Sequence, residues 1–491
     1  MKRREFLIKS GCLLSATALA TKARHFGAMS AMAQTVDKNN ESVAPNDYRA
    51  LVCIFLQGGN DANNMLIPNH ASTSLSNYQT YFNVRNPSGL ALPQSSLLPI
   101  SVPRMNGLEY GFHPNLGTVA NGANAGIHPL WAAGKLAVVA NVGNLVFPMS
   151  RAQYQSNTLR KPYQLFSHSD QVDQNQSGRA DTRAYLGWGG RIADKRSVSD
   201  NPNAVVPMIT SIQGTQLFTL GQTTTPLAIA SGNTALNNVL VLQGYGTDSV
   251  STARRNSLNA LRGQDLESNV IKAASHITDQ ANLASQALSV PTDVTTVFPN
   301  TNLGNQLKQV ARMIKKRGEL SVNRQIFYVQ AGSFDTHNGQ LDGQGNLLTQ
   351  VSQAMRAFYD EMTTQSIQDS VTSFTLSDFS RTFVPAGQGT SIVGTDHAWG
   401  THALVMGGAV RGGDFYGLNT GNGTPFPTLA IGTTDDTDSG SGARGRWIPT
   451  TSVDQYAATL SRWYGLPEAD IPSVFPNIGN FTTSNLGFMN P

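Results

Sequence analysis

Three short stretches late in the chain hold the residues best suited to chemistry. They are Phe334-Asp335-Thr336-His337, Ser377-Asp378-Phe379-Ser380-Arg381-Thr382 and Gly394-Thr395-Asp396-His397-Ala398-Trp399-Gly400-Thr401-His402. The chain has nine histidines, and three of them fall between residues 335 and 402. Imidazole and carboxylate together are ligands of Zn²⁺, Mn²⁺ or Fe. Asp335 and His337 lie two apart, and alternate residues of an extended chain share a face, so the pair can aim at one point. Asp335 also suits a helix cap, a role that His337 does not share. His397 and His402 are five apart, which is not the i, i+4 helical zinc spacing, so they must meet through a loop. Asp378 has Arg381 three residues on. That arginine can fork onto an anionic oxygen or bridge to Asp378.

Two earlier groups belong with these. Asp61 closes Gln57-Gly58-Gly59-Asn60-Asp61, directly after an apolar run. In an open α/β sheet ligands sit beyond the carboxyl ends of strands, which places Asp61 well. The alternative is a turn-forming Asn-Asp pair. Ser167-His168-Ser169-Asp170 is a separate polar cluster. Adjacent Ser and His side chains point apart, so this is no catalytic triad. Ser167 or Ser150 could serve as a nucleophile beside a metal, or the segment is a hydrogen-bonded loop. The chain has no Gly-x-Ser-x-Gly elbow, no phosphate-cradling Gly-x-x-x-x-Gly-Lys and no CxxC.

The elements that must position these groups are legible as apolar runs. Residues 51–56 read as a strand buried on both faces, bounded by Gly58-Gly59. Residues 136–142, 325–330, 373–376 and 403–407 read the same way. Residues 303–317 and 347–363 carry apolar side chains at helical spacing, and shorter helices are expected at 128–133 and 453–464. Strands alternating with helices predict βαβ units: an α/β fold with a central mostly parallel sheet and helices on both faces. Residues 49–491 are expected to form one such domain, with 203–300 an insertion or cap and the Gly-rich 419–445 a surface loop. Residues 34–48 read as a loose lead-in.

The N-terminus sets the compartment. Met1-Lys2-Arg3-Arg4-Glu5-Phe6-Leu7-Ile8-Lys9 is a twin-arginine pattern, followed by apolar residues 11–20 and a small-x-small site at Ala31-Met32-Ala33. The expected signal peptide is therefore 1–33, and the protein is expected to be periplasmic or secreted. Cleavage removes six of 35 basic residues and one of 31 acidic, so the +4 of the full chain becomes −1. That balance gives no reason to invoke nucleic acid. The apolar stretch is too short to span a bilayer, and Cys12 lacks a lipoprotein context, so no stable membrane anchor is expected. Cys53 is the one cysteine left after cleavage and reads as a buried small hydrophobe, so no intramolecular disulfide is expected.

On these residues the chain resembles the bacterial proteins grouped as domain-of-unknown-function family 1501, typically exported by the twin-arginine route. The stretches are Gln57-Gly58-Gly59-Asn60-Asp61, Leu165-Phe166-Ser167-His168-Ser169-Asp170-Gln171, Gly187-Trp188-Gly189-Gly190-Arg191 and the three late groups, with the glycines from Gly407 to Gly413. The family in turn resembles a distant branch of the alkaline phosphatase and sulfatase superfamily. That resemblance implies a metal site drawn from Asp61, Asp335, His337, Asp378, Asp396, His397 and His402. The superfamily's Asp-x-x-x-His stands here as Asp-x-His, its Asp-His as Asp378-Phe379, and its Cys-x-Pro-Ser-Arg is absent. The expectation is an exported metal-dependent hydrolase of phosphate or sulfate esters, using one or two divalent ions, Zn or Mn. Ser167 would be the nucleophile and Arg381 would hold the substrate anion. The substrate would be an anionic small-molecule or polymer ester, and the export machinery a partner. The alternative is a non-catalytic exported binding or assembly protein with a degenerate site. A metal-containing oxidoreductase is a third reading, since His/Asp sites also hold Fe.

Overall fold

Arg49–Leu56 is buried along all but its first residue, and its side chains alternate between two cores. Ala50, Val52, Ile54 and Leu56 join Leu307, Val310, Leu348 and Met355 on one side. Leu51, Cys53 and Phe55 join Trp188, Ile192, Tyr456 and Leu460 on the other. A strand apolar on both faces needs a helix layer over each, and both are present. The computed structural model describes residues 47–118, 125–240, 246, 248–264, 269–389 and 391–491. The expected signal and the lead-in through residue 46 lie outside the described residues.

The strands in chain order are β1 (Arg49–Leu56), β2 (Leu66–Pro68), β3 (Leu98–Ser101), β4 (Glu109–Phe112), β5 (Leu136–Gly143) and β6 (Ile209–Ser211). They continue as β7 (Leu227–Ala228), β8 (Arg324–Ala331), β9 (Val371–Ser377), β10 (Thr401–Gly407), β11 (Phe415–Tyr416) and β12 (Thr451–Ser452). The central sheet runs β11-β5-β10-β9-β1-β8-β6-β7, with β12 on β5, while β2, β4 and β3 form a small sheet. The five strands expected from the sequence are the contiguous middle, β5-β10-β9-β1-β8. β1 pairs in parallel with β8 and β9. β10 runs antiparallel to both β9 and β5. Among the described residues no helix lies between β9 and β10, and the chain returns beside β9 through the loop that carries Arg381 and His397.

The helices Asn302–Lys315 and Gln340–Thr364 flank β8 in sequence and bury their apolar stripes in the first core. The helix Val453–Tyr464 closes the second core, starting from a Ser452 capping box. The stretch 203–300 is not all an insertion: β6 and β7 extend the main sheet at its β8 edge. The helical part falls as two helices, Ser249–Arg262 and Asn269–Ser289. The Gly-rich 419–445 is also less superficial than its composition suggests, since Asp436 is wholly buried.

Candidate metal centre

The parallel strands β8, β1 and β9 end on the same edge, and their loops interlock there. Gly58 has φ +112°, and a Cβ on it would lie 2.4 Å from the Asp335 amide nitrogen, so only glycine lets the β1 loop pass. The Gly58 amide donates to Asp378 Oδ1 at 3.1 Å, and the Asn60 amide donates to Ser377 Oγ at 3.0 Å. Asp335 and Asp378 are thereby fixed relative to one another before any ligand is considered.

Three ligand atoms from distant parts of the chain converge at this edge. His168 Nε2 lies 3.0 Å from His397 Nε2 and 3.4 Å from Asp335 Oδ1, and His397 Nε2 lies 3.6 Å from Asp335 Oδ1. His168, Asp335 and His397 form a group that could hold a metal ion. Around a tetrahedral ion with bonds of about 2.0–2.2 Å, ligand atoms stand roughly 3.3–3.6 Å apart. The observed triangle is close to one face of that tetrahedron. His337 Nε2 borders it, 3.1 Å from both His397 Nε2 and Asp335 Oδ1.

The hydrogen-bond partners decide which nitrogens carry lone pairs. His397 Nδ1 lies 2.8 Å from the Phe166 carbonyl, which can only accept, so the proton is on Nδ1 and Nε2 is bare. His168 Nδ1 lies 2.8 Å from Asp378 Oδ2, which gives a neutral His168 the same tautomer. His337 Nδ1 lies 3.3 Å from Asp396 Oδ1. With His168 neutral, the Nε2 atoms of His168 and His397 and the Asp335 oxygen are all acceptors, an arrangement that a cation or a shared proton satisfies. Asp378 and Asp396 orient imidazoles from outside, as carboxylates commonly do behind metal-bound histidines.

The backbone bears strain to reach this arrangement. Phe166, whose carbonyl faces His397, has φ +72°, a left-handed conformation unusual for a bulky residue. His168 then opens the helix His168–Ser177, which is almost entirely polar yet mostly buried. Its Asn175 Nδ2 donates to the Asp378 carbonyl at 3.0 Å.

The charges are matched. The Arg381 side chain is fully buried and donates to Asp335 Oδ1 at 2.6 Å. Burial pushes the Asp335 carboxyl up, but the Arg381 hydrogen bond and charge outweigh it and hold it below the usual carboxylate range. The Asp378 hydrogen bond raises His168, whereas burial lowers His397. Side-chain exposure is 32% for His168, 44% for Asp335 and His337, and 27% for His397, so the group is open to solvent at one side.

Four expectations need correcting. Asp61 does not converge with the others. It is buried, caps the short helix Ala62–Met65 and is forked by Arg85, with Gln340 also donating to it. His402 is the second residue of β10, accepts from the Asn141 amide at 3.1 Å and stacks on Phe426. Burial pushes its pKa down to about 3. Arg381 neither bridges to Asp378 nor faces solvent; its donors go to Asp335, Thr395 and the Gly58 carbonyl. The Ser167 hydroxyl donates to Asp170 Oδ2 at 2.7 Å, and that bond with Arg183 holds the Asp170 carboxyl below its usual range, making it a poor base. His168 was the residue that sequence reasoning passed over. Its signals were its place in the Leu165–Gln171 stretch and its scarcity, as a histidine in a polar run of a histidine-poor chain.

A family model described as "Protein of unknown function (DUF1501)" matches residues 48–425. The chain belongs to this family. The matched span holds His168, Asp335, His337, Asp378, Arg381, Asp396 and His397, so every member of the converging group lies in the DUF1501 region. No curated protein matches the chain.

Proposed function

We propose that this DUF1501 protein is an exported metal-dependent hydrolase of phosphate or sulfate esters, on an alkaline phosphatase/sulfatase-like fold. The observation that carries the proposal is the triangle of His168 Nε2, His397 Nε2 and Asp335 Oδ1, three acceptors facing one point at 3.0–3.6 Å. The donor set, two imidazoles and a carboxylate, suits Zn²⁺ or Mn²⁺. When bound, such an ion supplies a Lewis acid at the ester oxygen. His168, His397 and Asp335 would hold it, while Asp378 and the Phe166 carbonyl keep the two imidazoles turned inward. Arg381 balances the Asp335 charge and fixes its rotamer. His337 stands at the open side with Asp396 behind its Nδ1, so its bare Nε2 can take the proton of an attacking water. Water, not Ser167, is the nucleophile in this scheme, because the Ser167 hydroxyl has no base. The twin-arginine pattern supports export, with the export machinery as partner. Among the described residues no helix is long and apolar enough to cross a membrane.

A second reading, a non-catalytic exported binding protein, draws on the engagement of Ser167 and Arg381 by other groups. Metal analysis of protein purified without chelators, followed by phosphatase, phosphodiesterase and sulfatase assays with Zn²⁺ and Mn²⁺, separates the two. Stoichiometric metal with ester hydrolysis that His168→Ala abolishes supports the hydrolase. Metal without hydrolysis favours the binding protein, and no metal removes the basis of both.

A further inference from the structure

The matched family span ends at residue 425, yet the segment 435–446 beyond it touches two of the three site imidazoles or their orienting groups. Asp436 folds this segment. Its buried carboxylate accepts four backbone N–H groups: Asp438 and Arg446 at 3.0 Å on Oδ1, Gly432 at 2.9 Å and Gly445 at 3.0 Å on Oδ2. Arg151 ties it down from outside, donating to the Asp436 and Asp438 carbonyls. A loop held this way projects its side chains from a defined frame.

Two arginines project from it. Arg446 Nε donates to the His397 carbonyl at 2.8 Å, and its guanidinium lies over the Phe166 ring at 5.3 Å. Phe166 is the residue whose strained backbone presents the carbonyl to His397 Nδ1. Arg446 thus grips the His397 backbone and the ring of that residue's hydrogen-bond partner at once. Asp438 Oδ2 accepts from Arg446 at 2.8 Å and from the Arg444 amide at 3.0 Å, locking the two arginines together. Arg444 in turn lies 3.2 Å from Asp396 Oδ2, behind His337.

We propose that the 435–446 segment is a strap that sets the imidazole orientations of the metal centre, with Arg446 as the positioning residue for His397. This rests on the reading that the trio binds a metal. The strap acts from outside: it supplies no ligand atom, but without it Phe166 can relax out of its left-handed conformation and release His397 Nδ1. Loss of an outer partner of a metal ligand typically costs about 10–100-fold in metal affinity.

The test compares wild type, Arg446→Ala, Arg446→Lys and Asp438→Asn. Co²⁺ and Zn²⁺ affinities come from chelator competition, the Co²⁺ visible spectrum reports geometry, and ¹⁵N-histidine NMR of metal-free protein reports the His397 tautomer. Arg446→Ala is expected to weaken metal binding about 10–100-fold, change the Co²⁺ spectrum and lose the Nδ1–H tautomer, with Arg446→Lys partly restoring all three. Asp438→Asn should move them the same way by less, and it serves if Arg446→Ala does not fold. An unchanged tautomer and unchanged affinity in folded variants overturns the strap. If wild type binds no ion, the metal reading fails, and the tautomer still decides the strap by itself.

Discussion

Asp61 is the sharpest place to test the structural reasoning, because sequence order made it a ligand and the fold makes it a buried ion-pair partner. Its side chain and that of Arg85 are both 0% exposed. All five Arg85 N–H groups have acceptors: Asp61 Oδ1 and Oδ2, Asn64 Oδ1, and the Phe383 and Thr382 carbonyls. Asp61→Asn keeps an oxygen to cap Ala62–Met65 but leaves the guanidinium without its counter-charge. Stranding a buried charge costs roughly 3–5 kcal/mol, against a whole-domain stability of about 5–15 kcal/mol. The urea midpoint, followed by tryptophan fluorescence, is therefore expected to fall by a large fraction. Metal affinity of the variant, measured well below that midpoint, is expected to stay within about threefold of wild type, since Asp61 offers no free lone pair to an ion. Asp61→Asn combined with Arg85→Met removes both charges and should recover part of the loss. A wild-type urea midpoint together with lost metal binding would refute the argument and restore Asp61 as a ligand.

Other outcomes follow from the same geometry. His168→Ala removes one corner of the triangle and is expected to reduce metal binding at least tenfold, while thermal unfolding shifts little because the side chain is one-third exposed. Arg381→Lys cannot reproduce the guanidinium contacts to Asp335 and Thr395; it should lower both stability and metal affinity, read by the same titrations. Asp454 gives a pH signature away from the site. Burial pushes its carboxyl from 3.8 to about 7, with Arg191 and Arg179 opposing and Asp181 adding to the rise, and its Oδ1 has no hydrogen-bond partner. The folded state holds a proton that the unfolded state has lost, so Asp454 costs stability progressively as pH rises from about 4 to 7, by up to about 4 kcal/mol. Asp454→Asn is expected to raise the urea midpoint at pH 8 and leave it unchanged at pH 4; equal midpoints at pH 8 would count against it.

The cores were legible because burial leaves a periodic record. Runs apolar on both faces gave the five contiguous strands of the sheet, and helical spacing gave Asn302–Lys315, Gln340–Thr364 and Val453–Tyr464. The direction of β10 left no such record, since side-chain alternation is the same for parallel and antiparallel neighbours. The strands β6 and β7 were missed because three and two residues are too few to show a period, although all of β6 is buried.

The candidate site divides along a similar line. The amino-acid sequence by itself could gather Asp335, His337 and Asp378, because they follow strands of one sheet edge; Asp396 and His397 precede β10 and reach that edge only because β10 runs antiparallel to β9. It could not separate ligand from orienting group. Asp335 and Asp378 each follow a strand, yet one faces the histidines and the other stands behind His168. Only the tertiary structure brought His168 in from a polar helix and carried Asp61 and His402 away into ion pairing and stacking. The physical reason is distance. A ligand set is fixed by separations of about 3 Å between chain segments hundreds of residues apart, and sequence order constrains which strand a residue follows but not which way its side chain turns.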